Sequence, residues 1–209
     1  MTLFIFSILA SSEGIIGIDN PLPNMLYHGE VFLEVKEEPI GKLRAKLGAG
    51  IWNGIFLSLS YGGRNIVGFG DIEWEKQPTI DFRIRLFKNE ILESVIGFNN
   101  EPIENYAEKY IFITLGTHLF PMLLLSCGTN YNYEKEKKNL DLFGNLALSL
   151  GEVNFLHLEY IMGTNDQEKH RVGLGYRIHS GSIGIQFSLK NLFSNEIGRQ
   201  LQIFYKESF

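Results

Sequence analysis

The feature that most constrains this chain is a two-residue alternation, clearest in residues 79–87, TIDFRIRLF. One parity of this stretch is apolar, and the other carries Asp81, Arg83 and Arg85. In a β-strand successive side chains point to opposite faces, so this segment has one apolar face and one charged face. The same alternation recurs along the chain in segments of about ten residues, and helical periodicity is nearly absent. The sequence therefore predicts an all-β protein.

About twelve strands follow from this pattern. Their predicted spans are residues 26–36, 41–49, 53–61, 78–87, 91–99, 109–118, 121–132, 139–149, 153–162, 170–179, 182–192 and 199–208. From the third strand onward the connections alternate between long and short, as in an up-and-down barrel whose short turns collect at one end. The sequence predicts one closed antiparallel transmembrane β-barrel domain over residues 13–209.

Side-chain parity also constrains two short turns. The apolar side chains of the strand 170–179 have even residue numbers, and those of the strand 182–192 have odd ones. The residue numbers of two facing residues must therefore sum to an odd number, which predicts a two-residue turn at Ser180–Gly181. The apolar side chains of the strands 139–149 and 153–162 both have even residue numbers, which predicts a loop with an odd number of residues, Leu150–Gly151–Glu152.

The apolar face is expected to point outward. Twelve strands enclose more space than side chains fill, so apolar side chains inside a closed barrel would leave a void. Burial of a Leu, Ile or Phe side chain is worth roughly 1.5–3 kcal/mol, whereas an Arg facing lipid at mid-depth costs roughly 2–4 kcal/mol. A soluble two-sheet sandwich also explains the alternation, but it does not explain the loop lengths.

The side chains on the polar face of the strands are predicted to line the lumen. They include Asp81, Arg83, Arg85, Asp141, Asn145, His157, Glu159, Arg171, Arg177, Gln186 and Lys190. The long connection at residues 62–77 is more apolar than a solvated loop needs, which favours a constriction folded into the lumen or, alternatively, packing on the rim. The candidate constriction residues are Asn65, Ile66, Phe69, Asp71 and Trp74.

Both ends of the chain carry export and assembly patterns. An apolar stretch before Ala10 suggests a signal peptide at residues 1–12. No Lys or Arg precedes Lys36, so the usual basic region is missing, and a misplaced start or a short mature strand remains an alternative. The other end, RQLQIFYKESF, resembles the closing strand that the barrel-assembly machinery of bacterial outer membranes reads, and Glu207 departs from that pattern. The predicted assembly signal is Leu201, Ile203, Tyr205 and Phe209. An ordinary amphipathic edge strand is the alternative.

Composition excludes several classes of function. A net charge of -5 argues against a nucleic-acid surface, and the single cysteine, Cys127, excludes an internal disulfide. No run approaches the roughly 18 apolar residues of a membrane-spanning helix. The five histidines show no zinc-type spacing, so we expect neither a metal nor a cofactor.

A catalytic alternative remains open in the predicted lumen. His157 and Glu159 share a face, Asp141 and Asn145 are expected nearby, and Ser149 or Ser188 are conceivable nucleophiles. Because polar lumen side chains usually pair with one another and with water, we expect the protein not to be an enzyme.

The stretch SYGGRNIVGFGDIEWEKQPTIDFRIRL carries a family resemblance. Its matching positions are Ser60, Tyr61, Gly62, Gly63, Asn65, Ile66, Gly68, Gly70, Asp71 and Trp74. Together with the proline pair of PLPNMLYHGEVFLEV, it resembles the poorly characterised YjbH-like barrels linked to exopolysaccharide. The resemblance covers about a third of the chain. It implies the bacterial outer membrane and polysaccharide biology, and it supplies no catalytic residues.

Three functions follow from these observations. The first is a non-enzymatic outer-membrane barrel, porin-like as a narrow polar passage, or an envelope scaffold linked to surface polysaccharide. The second is an outer-membrane enzyme that modifies lipid or glycan, and the third is a secreted soluble β-sandwich that binds a ligand. The partners expected for the first are outer-membrane lipid, the barrel-assembly machinery and polysaccharide.

Overall fold

The structure is a computed structural model. It describes residues 17–100, 102–103, 106–107, 109–133, 139–163, 170–194 and 196–209. The possible signal peptide at residues 1–12 lies outside the described residues.

Twelve long strands form the wall. They are β1 (Glu30–Glu38), β2 (Lys42–Ile51), β3 (Ile55–Arg64), β4 (Thr79–Lys88), β5 (Leu92–Asn99), β6 (Tyr110–Phe120), β7 (Leu123–Asn132), β8 (Asn139–Ser149), β9 (Asn154–Met162), β10 (Arg171–Ser180), β11 (Ile183–Lys190) and β12 (Gly198–Ser208). Short 3-10 turns lie at Pro39–Gly41 and Trp52–Gly54. The two-residue strand Glu73–Trp74 pairs with β3, and Pro102–Ile103 pairs with Tyr106–Ala107.

The wall closes on itself. Each long strand pairs antiparallel with the next in chain order, and β12 returns to β1 through the pairs from Glu30 with Ser208 to Glu37 with Leu201. This confirms the predicted closed twelve-stranded antiparallel barrel. The sandwich alternative is wrong, because it requires two sheets with open edges.

The two constrained turns have the predicted parity. Ser180 pairs with Ile183, so the tight turn is Gly181–Ser182, with Gly181 at a φ of 61°. Ser149 pairs with Phe155, and the odd loop spans residues 151–153. Both turns lie one residue later than predicted, because alternation fixes the parity of facing pairs and not the centre of the turn.

The barrel has two different ends. The short-turn end contains Gly29, Phe209 and the connections 52–54, 89–91, 121–122, 150–153 and 181–182. The loop end contains residues 65–78, 100, 109, 133, 163, 170, 191–194 and 196–197, together with the short turn Pro39–Gly41.

The outer face of the wall is an apolar belt. Each of the following outward side chains is between 37% and 62% exposed: Leu33, Leu47, Leu59, Ile80, Ile113, Leu125, Leu142, Leu158, Leu174, Ile185 and Ile203. The opposite parity is buried in the interior and is largely polar. In the part of the chain that the structure describes, no helix is long and apolar enough to cross a bilayer.

The chain before β1 corrects one sequence prediction. The first strand was expected to begin at residue 26, but β1 begins at Glu30, after Gly29 with a φ of 82°. Residues 17–26, called the inner segment below, lie inside the barrel. Met25 and Leu26 of this segment pack in one buried cluster with wall residues such as Phe32, Phe56 and Phe112.

Candidate functional site

The interior of the barrel is organised around the inner segment. Its apolar side chains are almost completely enclosed, with exposed fractions of 1% for Ile18, 0% for Leu22 and 2% for Leu26. Hydrogen bonds and ion pairs reach the segment from β1, β7, β9, β11 and β12, which lie around much of the barrel's circumference. The segment therefore occupies the lumen.

One part of the wall binds the segment through hydrogen bonds. Glu159 accepts from the backbone N–H of Asp19 at 3.2 Å and from that of Asn20 at 2.9 Å. The side chains of Gln186 and Gln200 donate to the carbonyls of Gly17 and Ile18, each at 3.2 Å. Asn130 donates to the side-chain oxygen of Asn20 at 3.0 Å. We call Asn130, Glu159, Gln186 and Gln200 the segment-binding wall.

Glycines on the inward parity make room for the segment. A Cβ added at Gly116 would overlap the ring of Pro23, and one at Gly50 would lie 2.9 Å from the backbone oxygen of Leu26. A Cβ at Gly173 would lie 3.0 Å from Cδ1 of Ile18. The wall thus fits the segment in shape as well as in hydrogen bonding.

The part of the wall formed by β2 and β4 has a different chemistry. Arg83 donates to both carboxylate oxygens of Asp81, at 3.0 and 2.7 Å, and Lys46 lies 3.8 Å from the same carboxylate. The Arg83 guanidinium also stacks on the rings of Phe56 and Phe112, at 5.3 and 5.4 Å from their centroids. We call Lys46, Asp81 and Arg83 the charged wall.

A cluster of lysines lies at the loop end of the lumen. Glu38 lies 3.1 Å from Lys36, 3.2 Å from Lys42 and 3.5 Å from Lys190, and we call these four residues the lysine cluster. Asp19 of the inner segment contacts it, at 3.5 Å from Lys36 and through a short ion pair with Lys190. Burial alone would raise the pKa of Asp19, but Lys190 and Lys36 outweigh that effect and lower it.

The inner segment joins the wall at the short-turn end. The N–H of Tyr27 donates to Glu30 at 2.7 Å, and the Tyr27 ring lies 5.3 Å from the ammonium of Lys88. His28 accepts from the backbone N–H of Trp52 at 3.1 Å. These contacts fix the position at which the chain enters the barrel.

A cavity remains between the inner segment and the wall. It has about 360 Å³ of space unfilled by protein, including space open to solvent, and Glu34, Lys46 and Arg83 are among its lining residues. With the segment inserted, the lumen offers a wet crevice beside the charged wall.

The structure places the predicted lumen residues on the inward face. Seven of them are at most 5% exposed, namely Asp81, Arg83, Asn145, His157, Glu159, Arg177 and Gln186. Asp141, Arg171 and Lys190 are partly buried. Arg85 is partly buried near the short-turn end, where its Nε donates to Glu93 at 2.7 Å.

The predicted constriction residues occupy the rim instead. Phe69 is fully exposed, and Trp74 stacks on Tyr61, which faces outward, with ring centroids 5.9 Å apart. Asn65 donates to the carbonyl of Asp71 at 3.1 Å, and the N–H of Ile66 donates to the carbonyl of Gly41 at 3.0 Å. These contacts match the rim-packing alternative for this loop, and the segment that narrows the lumen is residues 17–26.

The closing strand has the predicted alternation. Leu201, Ile203 and Tyr205 point outward from β12, and Phe209 is 94% exposed. Glu207 accepts hydrogen bonds from Tyr205 at 2.7 Å and from Ser182 at 3.0 Å, so this departure from the pattern has partners within the barrel. Recognition by the assembly machinery stays a prediction.

The hydroxyls of the catalytic alternative are engaged elsewhere. Ser149 donates to the carbonyl of Gly151 at 2.5 Å, and Ser188 accepts from Gln186 at 3.0 Å. Glu159 binds the inner segment and does not orient His157. Within the described ranges, no group of three His, Cys, Asp or Glu side chains could hold a metal ion.

Sequence reasoning missed the inner segment. Residues 17–25 lack alternation, and PLPN was interpreted only as a lead-in to the first strand. A usable signal was present in Gly116 and Gly173, which occupy the inward parity of predicted strands, and in Gly50, which directly follows the predicted strand 41–49. A glycine in a strand interior often marks the close approach of another backbone or a ligand.

Comparisons with known proteins agree with this architecture. No family model matches the chain, and neither does any curated protein. Among solved structures, it is similar to the KdgM porin (TM-score 0.61, 10% identity) and to the KdgM porin in complex with disordered oligogalacturonate (TM-score 0.63, 10% identity). It is also similar to the NanC porin in a rhombohedral crystal form (TM-score 0.59, 9% identity). Each match covers 86% of this chain and 99% of the other.

At these identities the likeness concerns the fold alone. The chain has the fold of a porin-type barrel, with an apolar outer belt and a polar lumen.

Proposed function

We propose that this protein is a non-enzymatic passage for small polar solutes across the bacterial outer membrane, and that the inner segment closes or narrows the passage. The observation that carries the proposal is a lumen lined by buried polar side chains, several of which form hydrogen bonds to the inner segment. Such a wall offers hydrogen bonds to whatever occupies the lumen.

The proposed location rests on the outer belt. An apolar side chain facing water forgoes about 1.5–3 kcal/mol relative to burial. Every long strand from β1 to β12 repeats the same alternation, so the total favours lipid around the barrel. The outer membrane is the membrane in which bacterial barrels of this kind reside.

A closed lumen can open only if insertion of the segment is nearly balanced. Burial of Ile18, Leu22 and Leu26 contributes about 1.5–3 kcal/mol each, and each hydrogen bond about 0.5–1.5 kcal/mol. Ordering the backbone of the segment costs about 1–2 kcal/mol per residue. The two sides are of similar size, so the loss of a few contacts is expected to release the segment.

The link to surface polysaccharide is the finer part of the proposal. It rests on the resemblance to YjbH-like barrels. The KdgM porin was solved with oligogalacturonate, so a barrel with this fold accommodates an oligosaccharide. An envelope scaffold is the second candidate, because the inner segment fills much of the lumen.

Conductance in planar bilayers separates these candidates. Gly116→Leu places a side chain where Pro23 lies and is expected to expel the inner segment and raise single-channel conductance. Gly144→Leu is the matched control, since a Cβ there has only the Ser126 oxygen within 4 Å, at 3.8 Å. A passage predicts larger conductance for Gly116→Leu alone. If both variants form folded barrels with equal, negligible conductance, the envelope scaffold is the remaining candidate.

Location is tested on the unaltered protein. Cell fractionation is expected to place it in the outer-membrane fraction, and the closed barrel is expected to migrate anomalously in SDS until it is heated. A soluble periplasmic fraction without heat-modifiability would refute the membrane proposal.

A further inference from the structure

We infer that the lysine cluster is a binding site for the carboxylate group of an anionic solute, and that Asp19 occupies this site as an internal competitor. The inference rests on the proposed passage, because the solute reaches the cluster only through the lumen. It adds the chemical class of the solute and the way in which its binding is coupled to opening.

The geometry around Asp19 is that of a carboxylate held by two ammonium groups. Oδ1 of Asp19 lies 3.5 Å from Nζ of Lys36 and forms a short ion pair with Nζ of Lys190. The two lysines come from β1 and β11, so the site is assembled from separate strands of the wall. A solute carboxylate offers the same acceptor oxygens to the same donors.

Burial shows the direction from which a solute would arrive. The side chains of Lys36 and Lys190 are 10% and 14% exposed, whereas the Asp19 side chain is 32% exposed. The ammonium groups thus lie behind the carboxylate relative to solvent. A solute that enters from the loop end meets the position of Asp19 first.

Glu38 determines how many solute carboxylates the site can hold. It belongs to β1 and therefore stays in place when the inner segment leaves, at 3.1 Å from Lys36 and 3.5 Å from Lys190. Asp19 supplies the second carboxylate in the present arrangement. We therefore expect room for one solute carboxylate in place of Asp19.

Competition at this site would couple binding to opening. Glu159 accepts hydrogen bonds from the backbone N–H groups of Asp19 and Asn20. Displacement of the Asp19 side chain therefore acts directly beside two hydrogen bonds that hold the segment. A solute that excludes Asp19 must weaken insertion of the segment, and by reciprocity insertion must weaken binding of the solute.

Thiol labelling reports whether the inner segment is inserted in the lumen. In a Cys127→Ala background, Pro23→Cys carries the only thiol, at a position buried against Gly116, and its reaction with a small water-soluble thiol reagent reports release of the segment. The probe is sodium D-galacturonate, compared with D-galactose at an ionic strength matched with sodium chloride. Ser194→Cys, in an exposed loop, gives the rate for an accessible thiol.

We expect galacturonate, and not galactose, to accelerate labelling of Pro23→Cys by about tenfold, the size of an ordinary coupling between two sites. Lys190→Gln is expected to abolish this dependence on galacturonate. Lys76→Gln, which removes an exposed lysine from the loop at residues 65–78, is expected to retain it. In Asp19→Asn, labelling is expected to be fast without any solute.

Two results would overturn the inference in different ways. Slow labelling that galacturonate does not change, together with the conductance expected for Gly116→Leu, would refute the carboxylate site and leave the passage. Labelling of Pro23→Cys as fast as that of Ser194→Cys in every condition would show that the segment is not inserted, and the proposed closure would fail with the inference.

Discussion

The charged wall and the segment-binding wall face each other across one lumen, yet their polar groups have different partners. In the charged wall, Asp81 binds Arg83 and lies beside Lys46, so its carboxylate is paired within the wall. In the segment-binding wall, Glu159, Gln186 and Gln200 bind the backbone of residues 17–20. One wall contributes to the stability of the barrel, whereas the other contributes to occupancy of its lumen.

The difference follows from the chemistry of the side chains. Arg83 is buried and is paired with Asp81, which a rigid strand holds at a fixed position. The carboxylate of Glu159 instead accepts from two backbone N–H groups of the inner segment. An amide has both a donor and an acceptor, and it binds the peptide backbone of any strand or loop that comes within reach. Variants of the two walls should therefore separate barrel stability from insertion of the segment.

The largest effect is expected from Arg83→Met. The change leaves the Asp81 carboxylate buried without its bidentate partner, which costs about 3–5 kcal/mol in the free energy of unfolding of the barrel. Urea titration with folded and unfolded bands on a semi-native gel measures it. Lys88→Met removes a lysine that is 40% exposed and pairs with Glu93, and should cost less than about 1 kcal/mol. Equal losses would contradict the role given to the charged wall.

Glu159→Ala should act on the inner segment more than on the barrel. It leaves the N–H groups of Asp19 and Asn20 without their acceptor, at about 1–3 kcal/mol each. Labelling of Pro23→Cys should accelerate by at least about tenfold, because each 1.4 kcal/mol corresponds to a factor of ten. Glu159→Gln keeps an acceptor oxygen and should show a smaller change. An unchanged rate in Glu159→Ala would remove this residue from the segment-binding wall.

A smaller effect is expected from Gln200→Ala, which removes one hydrogen bond to the carbonyl of Ile18. A single hydrogen bond contributes about 0.5–1.5 kcal/mol, so labelling of Pro23→Cys should accelerate by about two- to tenfold. Gln202→Ala, on the same face of β12 two residues along, is the matched control. If both variants behaved alike, the effect would arise from a general loosening of the strand.

The smallest effect in the lumen is expected from Trp74→Ala. The stacked pair with Tyr61 is worth about 0.5–1.5 kcal/mol at the rim, but it lies outside the lumen. Bilayer conductance and labelling of Pro23→Cys should both match those of the unaltered chain. A clear rise in conductance would show that the loop at residues 65–78 narrows the passage after all.

The wall was predictable because alternation is a local signal. In TIDFRIRLF the parity of each side chain alone assigns Asp81 and Arg83 to the lumen and Ile80 to the exterior, before any partner strand is known. The closing strand followed from the same parity. Closure followed from the connections, whose alternation between long and short is that of an up-and-down barrel.

The inner segment was not predictable in the same way. Its partners, Glu159, Gln186 and Gln200, are more than a hundred residues away along the chain, and no periodicity links them to residues 17–20. The apolar loop containing Phe69 and Trp74 was predicted to form a constriction because its composition is more apolar than that of a solvated loop. Composition does not indicate against which surface such a loop packs. In the structure Trp74 stacks on Tyr61 at the outer rim, and Phe69 is exposed.

Disulfide formation between Pro23→Cys and Gly116→Cys, in the Cys127→Ala background, tests the central claim that residues 17–26 lie inside the barrel. A Cβ at residue 116 lies 3.3 Å from that of Pro23, close to the roughly 3.5–4.5 Å of a disulfide. The matched pair combines Pro23→Cys with Leu115→Cys, whose side chain faces outward. We predict rapid intramolecular cross-linking at residue 116 and none at residue 115, and equal cross-linking of the two pairs, or none at residue 116, would contradict the account.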